Sequence, residues 1–466
     1  MLFNSLEFLI FLPIVFILYW FVMYKNLRIQ NLLVLVASYV FYGWWDYRFL
    51  SLIILSTIVD YFSGINIENA SNKKVAKSWL WVSVVFNIGL LGFFKYYNFF
   101  IDSWVEMFAG MGYEMSPYTL QIILPVGISF YTFQTMSYSI DIYRGKLKAT
   151  KNFIGFAAFV SFFPQLVAGP IERASNLLPQ ILSKRTFDYG KSVQGLRQIL
   201  WGLFKKVVIA DSLAPIVNDI FANYTEYSGG VLILGAVFFA FQIYGDFSGY
   251  SDIAIGIAKL FGFNLMTNFK FPYFSRNIGE FWRRWHISLS TWFRDYLYIP
   301  LGGSKVNKAK AIRNIFIVFL VSGFWHGANW TFIVWGLIHA MLFLPSFVVG
   351  KNRKYVGEEV SRFLPSFKES LSILYTFTVV SIAWIFFRAD SITVAFDYIT
   401  HILQFGAVST SFIKFLIPCI VLFGLDWLKF KNIEFQKNYL IDSLLFIIVI
   451  YFGIIHNESP FIYFNF

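Results

Sequence analysis

The sequence predicts an all-α polytopic membrane protein. Of its 466 residues, 58% are hydrophobic and only 14% are charged, and the mean hydropathy is +0.61. A soluble protein needs more polar residues to cover its surface. The chain also contains 27 Tyr and 15 Trp, whose rings favour the boundary between membrane and water. We therefore expect a single integral membrane domain over 1–466, with about 11–12 transmembrane helices and additional re-entrant and interfacial helices.

The apolar runs locate the expected spans, since about 20 mostly apolar residues cross the hydrocarbon core. The predicted spans are 5–24, 31–47, 48–65, 78–100, 119–142, 199–221, 230–250, 312–328, 331–349, 369–388, 411–428 and 439–456.

The positive charges alternate from loop to loop. The stretches 101–118, 222–229, 389–410 and 457–466 contain no Lys or Arg, whereas the loops between them are basic. Basic loops stay in the cytoplasm, so this alternation places both termini outside, with Arg48 as a minor exception. It also accounts for the net charge of +12 without a nucleic-acid partner.

The middle of the chain does not follow the pattern of simple spans. Val193, Leu196 and Leu200 recur at helical spacing, opposite Lys191 and Lys205, which predicts a helix lying in the interface or dipping partway into the membrane. The apolar segment 163–173 contains helix-breaking Pro and Gly residues, which predicts a re-entrant turn.

The first motif whose residues suit catalysis or ligand binding is Phe281-Trp-Arg-Arg-Trp-His286, which continues to Gly303. Its arginines, Arg283 and Arg284, suit the phosphates of an anionic donor. They suit equally an interfacial belt in which arginines extend to the headgroups. The charge pattern leaves both interpretations open.

The second motif is Val321-Ser-Gly-Phe-Trp-His326-Gly-Ala-Asn329-Trp330. Its small residues allow helices or a substrate chain to approach closely, and His supplies a base with an ordinary pKa of about 6.5. A polar residue at membrane depth is costly, so His326 is a functional candidate. The alternative is a histidine that hydrogen-bonds to a neighbouring helix.

A third cluster, Gln242 to Asp252, places Tyr244, Asp246 and Ser248 after an apolar run. It indicates either a cavity lining or helix capping. His339 is interpreted as a packing or hydrogen-bonding residue, and Cys419 as a small buried hydrophobe. One cysteine excludes a multi-cysteine metal site, and ligand spacings for other metal sites are absent.

Together, the Gln242–Asp252 run, Trp-Arg-Arg-Trp-His and Phe-Trp-His-Gly resemble the membrane-bound O-acyltransferase family. The nearest branch is that of the bacterial alginate and peptidoglycan O-acetyltransferases, with the D-alanyltransferases of teichoic acids more distant. The resemblance implies a ring of tilted helices around a central tunnel. It divides the chain into N-terminal helices (1–150), a catalytic core (151–345) and C-terminal helices (346–466).

The resemblance further implies that His326 is the catalytic histidine and His286 the second signature histidine. We expect His326 to act as general base and His286 to orient the thioester or stabilise developing charge. Acetyl-CoA is the implied donor, and no permanently bound cofactor or metal is expected. The residues expected to line the tunnel or bind the donor are Trp325, Asn329, Tyr244, Asp246, Ser248, Arg283, Arg284 and Trp285.

The implied setting is the inner membrane of a bacterial cell. There the partners are the lipid bilayer, a polysaccharide acceptor and a separate extracytoplasmic acetyltransferase of the SGNH type.

The tail Pro460–Phe466 resembles terminal aromatic motifs of acyl-export systems, so Tyr463 either carries acetyl or anchors the tail at the interface. Two alternatives stay open, namely acyl transfer to another acceptor, such as D-alanyl transfer to teichoic acid, and a non-enzymatic transporter or exporter.

Overall fold

The computed structural model describes residues 1–116, 119–167, 169–356, 363–404, 406–408, 410–431, 439–455 and 461–462. Within these residues every regular element is a helix, which confirms the all-α class. The chain forms two compact units. The first comprises 1–196 and 254–266, and the second comprises 197–253 and 267–466.

The first unit contains the N-terminal helices, and polar caps fix where several of them begin. Ser5, Asn26, Asn72 and Asn152 each accept a hydrogen bond from a backbone N–H of the following first turn. The helices are α1 (Leu6–Ile17), α2 (Leu27–Asp46), α3 (Leu50–Glu68), α4 (Lys73–Leu91), α5 (Tyr97–Gly110), α6 (Ile128–Tyr143), α7 (Phe153–Val160), α8 (Phe163–Leu166), α9 (Ala174–Leu182) and the beginning of α10 (Tyr189–Leu203).

The second unit contains the remaining helices, apart from the last residues of α12, which belong to the first unit. They are α11 (Asp211–Ala222), α12 (Gly229–Leu260), α13 (Ile278–Arg284), α14 (Ile287–Phe293), α15 (Lys308–His326), α16 (Trp330–Val348), α17 (Phe367–Arg388), α18 (Ile392–Ile402), α19 (Thr410–Ile413), α20 (Leu416–Phe430) and α21 (Tyr439–Ile455).

Six helical stretches among the described residues are long and apolar enough to cross a membrane. They are Leu27–Glu68, Lys73–Gly110, Gly229–Leu260, Trp330–Val348, Phe367–Arg388 and Thr410–Phe430. The first stretch contains two predicted spans, 31–47 and 48–65, separated by a 3₁₀ turn at Tyr47–Phe49. Shorter apolar helices cover Leu6–Val22, Phe153–Leu166 and Tyr439–Gly453. The chain is a multi-pass membrane protein.

The predicted span 119–142 is helical only from Ile128 onward. Pro125 lacks a backbone N–H, and Gly127 has a φ of 76°, so the chain cannot enter the helix earlier. A Cβ on Gly127 would lie 2.5 Å from the carbonyl oxygen of Leu166, so only glycine fits this position. In the segment 163–173, α8 is a single turn, and the re-entrant turn itself stays a prediction.

The expectation that Lys205 lies on the polar face of an interfacial helix is wrong. A π-helical segment, Phe204–Ala210, follows α10 and changes which residues point inward. Lys205 and Lys206 are consequently buried, whereas Leu196 on the predicted apolar face is 56% exposed.

A buried polar cluster in the first unit connects three helices. The carboxylate of Asp60 on α3 accepts hydrogen bonds from Ser83 on α4, from Asn87 Nδ2 at 2.8 Å and from Ser139 on α6 at 3.0 Å. Side-chain hydrogen bonds between membrane helices stabilise their association, so the cluster holds these apolar helices in register.

Helices α15 and α16 form a tightly packed pair that positions His326. A Cβ added to Gly323 would lie 2.2 Å from the carbonyl oxygen of Phe332, and one added to Gly336 would lie 2.4 Å from that of Phe319. The predicted close approach at the small residues is therefore confirmed. Because His326 is the last residue of α15, this contact determines where its ring lies.

Candidate active site

His286 lies between α13 and α14 in a conformation unusual for a residue with a side chain. Its φ is 44° and its ψ is 54°, in the left-handed region. Backbone hydrogen bonds on both sides, Lys270 N to Arg284 O and Ile287 N to Asn268 O, both 2.9 Å, fix this turn. The imidazole is fully buried as a result. Such backbone strain persists where the surrounding structure determines it and is frequent at active sites.

Asn268 determines which nitrogen of His286 carries the proton. The Oδ1 atom of Asn268 accepts hydrogen bonds from the backbone N–H of Ser288 at 3.3 Å and from its hydroxyl at 2.9 Å, so this atom is the carbonyl oxygen. The same Oδ1 lies 3.1 Å from Nδ1 of His286, which must therefore donate. The Nδ2 atom of Asn268 donates to Ser251 at 3.1 Å, consistent with this orientation.

The other nitrogen of His286, Nε2, is then an acceptor with a lone pair. It has no hydrogen-bond partner among the described residues. His286 lies outside the membrane-spanning helices, and its burial lowers the pKa of the ring to about 3. The ring is therefore neutral near pH 7. In this tautomer Nε2 accepts hydrogen bonds and does not donate them.

His326 lies next to His286, with the two ring centroids 6.3 Å apart. Its ring is 2% exposed. Trp325, Trp335 and Phe387 surround it, with ring centroids 5.0, 5.1 and 5.3 Å away. Trp325 also contacts His286, at 5.9 Å. The structure thus brings together three residues that the sequence singled out, inside a buried cluster of aromatic rings.

The arginines of the first motif are engaged with protein groups. Arg283 donates to the carbonyl oxygen of Asn352 at 2.8 Å. Arg284 forms an ion pair of 2.7 Å with Glu280, which is also paired with Arg276. The structure therefore gives both arginines a positioning role for α13, and donor binding by them stays a prediction.

Tyr244, Asp246 and Ser248 lie on α12 and belong to a buried charged network. Tyr244 donates to Asp426 at 2.5 Å, and Lys206 pairs with Asp246 at 2.8 Å. The residues that complete the network are Lys205, which contacts Ser248 and Asp252, and Asp211, which pairs with Lys206. The network satisfies buried charges, which is a structural task, and it reaches the histidines through Tyr244, whose ring lies 6.2 Å from that of Trp285.

Asn329 and Trp285 have structural contacts as well. Asn329 caps α16 by accepting from Thr331 N at 2.9 Å, and it donates to the carbonyl of Asp390 at 3.0 Å. Trp285 is fully buried against Trp384 at 5.0 Å. The indole N–H of Trp285 has no hydrogen-bond partner among the described residues.

A cavity of about 500 Å³ lies in the second unit. It is lined mainly by apolar side chains, with Arg294 and Arg353 among its polar residues. Its lining includes Ser322, one helical turn before His326 on α15. It also includes Trp282, whose ring lies 5.7 Å from Trp335, which in turn contacts His326. Two indole rings therefore separate this part of the cavity from His326.

Sequence reasoning did not identify Asn268, Trp335 or Phe387 as parts of the site. Trp335 and Phe387 lie in apolar runs, where an aromatic ring carries no distinguishing pattern. Asn268 lies within a loop and gains its role only because the chain turns back on itself. His339 accepts from Trp282 Nε1 at 3.3 Å, which confirms its interpretation as a packing and hydrogen-bonding residue.

Among the described residues, no three His, Cys, Asp or Glu side chains are placed to hold a metal ion. Tyr463 and His456 lie outside the described residues. Two residues just before Tyr463 are described. Phe461 is fully buried, and its ring lies 5.6 Å from that of Phe247. The backbone N–H of Ile462 donates to Asp246 Oδ2 at 2.7 Å.

Comparison with known proteins identifies relatives over most of the chain. Residues 146–357 match the model of the membrane-bound O-acyltransferase family. The chain is 44% identical to the probable alginate O-acetylase of Pseudomonas aeruginosa over 409 residues, which is 87% of this chain and 75% of the relative. It is 36% identical to the peptidoglycan O-acetyltransferase of Helicobacter pylori, covering 88% of this chain and 81% of that protein. Similarity to the teichoic acid D-alanyltransferase of Bacillus subtilis is lower, at 29% over 56% of this chain and 68% of the relative.

Proposed function

Because this chain belongs to the membrane-bound O-acyltransferase family and is a membrane O-acetyltransferase, we propose that it transfers acetyl from cytoplasmic acetyl-CoA toward an extracytoplasmic polysaccharide. The acceptor class is an alginate-like exopolysaccharide or peptidoglycan, as the names of the two more similar relatives suggest. The observation that carries the proposal is the pair of buried imidazoles, His286 and His326, inside the region that matches the family.

In the proposed reaction His326 is the general base. It takes the proton from the acceptor hydroxyl as that oxygen attacks the thioester carbonyl. A C–O bond forms, the C–S bond breaks, and the proton passes from His326 to the departing thiolate of coenzyme A. A thioester is already activated, so positioning and proton transfer supply most of the required catalysis.

His286 has an orienting role in this proposal. Its neutral ring donates from Nδ1 to Asn268, so Nε2 offers only a lone pair. A group that cannot donate does not stabilise an oxyanion, and the expected charge-stabilising role is therefore set aside. A lone pair close to His326 instead accepts a hydrogen bond from the hydroxyl or amide of a bound substrate and holds it beside the base.

The proposed donor site is the 500 Å³ cavity. Its apolar lining suits the pantetheine arm, and Arg294 and Arg353 suit phosphates. Residue 353 belongs to a basic loop that the charge pattern assigns to the cytoplasm, where acetyl-CoA is made. Because Trp282 and Trp335 separate part of the cavity from His326, entry of the thioester requires these rings to move.

On the acceptor side, a separate extracytoplasmic protein of the SGNH type completes the transfer in this proposal. Tyr463 is proposed as a transient acetyl carrier, with an aromatic anchor as the alternative. As carrier, its phenolic hydroxyl attacks the thioester in place of the acceptor hydroxyl. The acceptor oxygen then attacks the resulting aryl ester, and the tyrosine leaves with the acceptor's proton. The contacts of Phe461 and Ile462 support the carrier role, since Phe461 packs on Phe247, whose ring lies 4.7 Å from His286. Mass spectrometry of the C-terminal peptide during turnover with labelled acetyl-CoA tests it, and an unlabelled Tyr463 removes the idea.

The proposed function is tested by complementing a deletion strain and measuring O-acetyl esters on its purified polysaccharides. The wild-type gene is expected to restore the esters and His326→Asn to leave them absent, with equal protein in the membrane. His401→Asn is the matched control, because His401 lies near the surface, with its Nδ1 atom 2.8 Å from the carbonyl oxygen of Asp397 and its ring 5.6 Å from that of Tyr224. Restoration of esters by His326→Asn would contradict the proposed catalysis and favour a transporter. If the deletion strain lacks D-alanyl esters and not O-acetyl esters, the transferred group is D-alanyl.

A further inference from the structure

A second cavity, of about 250 Å³, lies in the first unit, whereas both signature histidines belong to the second unit. Its walls are the end of α9, the segment leading into α10, the last residues of α12 and Trp20. Four cationic side chains line it, Lys184, Arg185, Lys191 and Lys259, with a single carboxylate, Asp188. The proposed function gives this cavity no task.

Arg185 is a buried cationic residue of this cavity, with 8% of its surface exposed. Its guanidinium donates to Gln30 Oε1 at 2.9 Å, to Asn31 Oδ1 at 2.7 Å and to the carbonyl of Ile181 at 2.9 Å. All of these acceptors are neutral, and Nε has no partner among the described residues. The carbonyls at the end of α9 offset part of the charge. A buried cation is ordinarily paired with an anion, and here the described residues supply none.

The surrounding charges do not supply the missing anion. Lys184 and Lys191 are exposed and form no ion pair with a described residue. Asp188 is already used as a helix cap, since its Oδ1 accepts from the backbone N–H of Lys191 at 3.0 Å. The cavity therefore presents a positive field with guanidinium and ammonium donors, which suits a phosphate with several oxygens.

One aromatic residue, Trp20, lines the cavity, and further aromatic rings lie beside it. Trp20 donates its indole N–H to the carbonyl of Leu260 at 2.8 Å, and its ring contacts Phe187 at 5.5 Å. Phe187 is 49% exposed, and Phe21, next to Trp20, is 70% exposed. Exposed rings beside a cationic cavity indicate the membrane interface, where a lipid places its headgroup next to its acyl chains. The adjoining Lys25 and Arg28 belong to a loop that the charge pattern assigns to the cytoplasm.

We propose that this cavity binds the phosphate headgroup of an anionic phospholipid from the cytoplasmic leaflet. The headgroup pairs with Arg185 and the two exposed lysines, and the acyl chains lie along Phe21 and Phe187. A soluble phosphate compound such as coenzyme A shares the headgroup's chemistry but lacks acyl chains to lie along these rings. The bound lipid would hold α2, α9 and the end of α12 together, because Arg185 bonds to residues of α2 and α9.

The experiment uses the full-length protein, purified in detergent and stripped of lipid. Its thermal stability and native mass are recorded with phosphatidylglycerol, with phosphatidylcholine of the same chains, and with coenzyme A or pyrophosphate. Phosphatidylglycerol is expected to raise Tm and to remain bound in the mass spectrum, whereas the other compounds do neither. The Lys184→Gln/Lys191→Gln double variant should bind phosphatidylglycerol about 30-fold more weakly.

The matched control is Lys73→Gln/Lys74→Gln, which removes two exposed lysines at the start of α4, elsewhere in the same unit. This control is expected to bind phosphatidylglycerol like the wild type. If both double variants lose phosphatidylglycerol binding equally, the effect is due to general surface charge, and the proposal is overturned. Equal binding of the two lipids, or a response to coenzyme A and pyrophosphate without one to phosphatidylglycerol, would overturn the lipid assignment. These lipid-binding measurements do not depend on acetyl transfer, so the lipid proposal and the proposed function can fail independently.

Discussion

The chemistry of His286 depends on a single side chain that holds its ring. Asn268 binds Ser288 and Ser251, so its amide cannot rotate without losing these contacts. The tautomer of His286 follows from this fixed amide. We regard Asn268 as a positioning residue, since it acts on substrate through the histidine.

Replacing Asn268 by leucine should lower kcat with little change in KM. Leucine has a similar size but cannot accept from Nδ1, so the ring loses both its tautomer and its orientation. Loss of a buried hydrogen bond costs about 1–3 kcal/mol, or about 5- to 150-fold in rate. Asn268→Asp keeps an acceptor and should retain more activity than Asn268→Leu. Equal activities in the two variants, at equal protein yield, would contradict the positioning role.

The burial of His286 should make stability depend on pH. The pKa is about 3 in the folded protein and about 6.5 when unfolded, so below pH 6.5 the unfolded state binds a proton that the folded state does not. The stability that depends on the neutral ring is therefore fully present above pH 6.5. Below it the free energy of unfolding falls by about 1.4 kcal/mol per pH unit. At pH 5 the loss is about 2 kcal/mol.

The matched variant for this measurement is His286→Asn. Asparagine tolerates the left-handed backbone of residue 286 and does not titrate. Thermal unfolding in detergent from pH 7.5 to 5 should show a steeper decline for the wild type than for His286→Asn. Parallel declines would show that His286 does not remain neutral in the folded protein.

At the scale of elements, the α15–α16 contact determines the geometry of the site. The two helices approach so closely at Gly323 and Gly336 that a methyl group has no room. His326 follows Gly323 by less than one helical turn, so a displacement at the contact is passed directly to the catalytic ring.

The Gly323→Ala variant tests this dependence. The new methyl group would meet the carbonyl of Phe332 and separate the helices, at a cost of about 1–3 kcal/mol in stability. A displacement of about 1 Å can reduce the rate about 100-fold. The control is Gly424→Ala on α20, where nothing lies within 4 Å and alanine should favour the helix. Unchanged acetyl transfer by Gly323→Ala would contradict the account of this contact.

At the scale of the whole molecule, the sequence predicted the fold class and singled out the two histidines that the structure brings together, because each signal is contiguous along the chain. Apolar runs mark membrane helices. The first signature motif places His286 next to Trp and Arg residues, and the second places His326 between Trp and Gly. Those local patterns survive folding unchanged.

What the sequence could not predict depends on contacts between distant residues. The π-helical segment turned Lys205 and Lys206 inward, toward carboxylates on α11 and α12. Asn268 lies near His286 only through the turn between them, and Phe387 reaches His326 only through the packing of α17. Hydrophobic periodicity contains no information about such pairings.

The most direct test is acetyl transfer by the purified protein in proteoliposomes, measured as coenzyme A released from acetyl-CoA in the presence of a hydroxyl acceptor. We predict that His326→Asn and His286→Asn each lower this rate by about 10²- to 10⁴-fold, with the double variant no slower than the His326 variant, because the two rings act as one unit. A His326→Asn protein that is correctly folded and releases coenzyme A within about threefold of the wild-type rate would contradict the proposed mechanism.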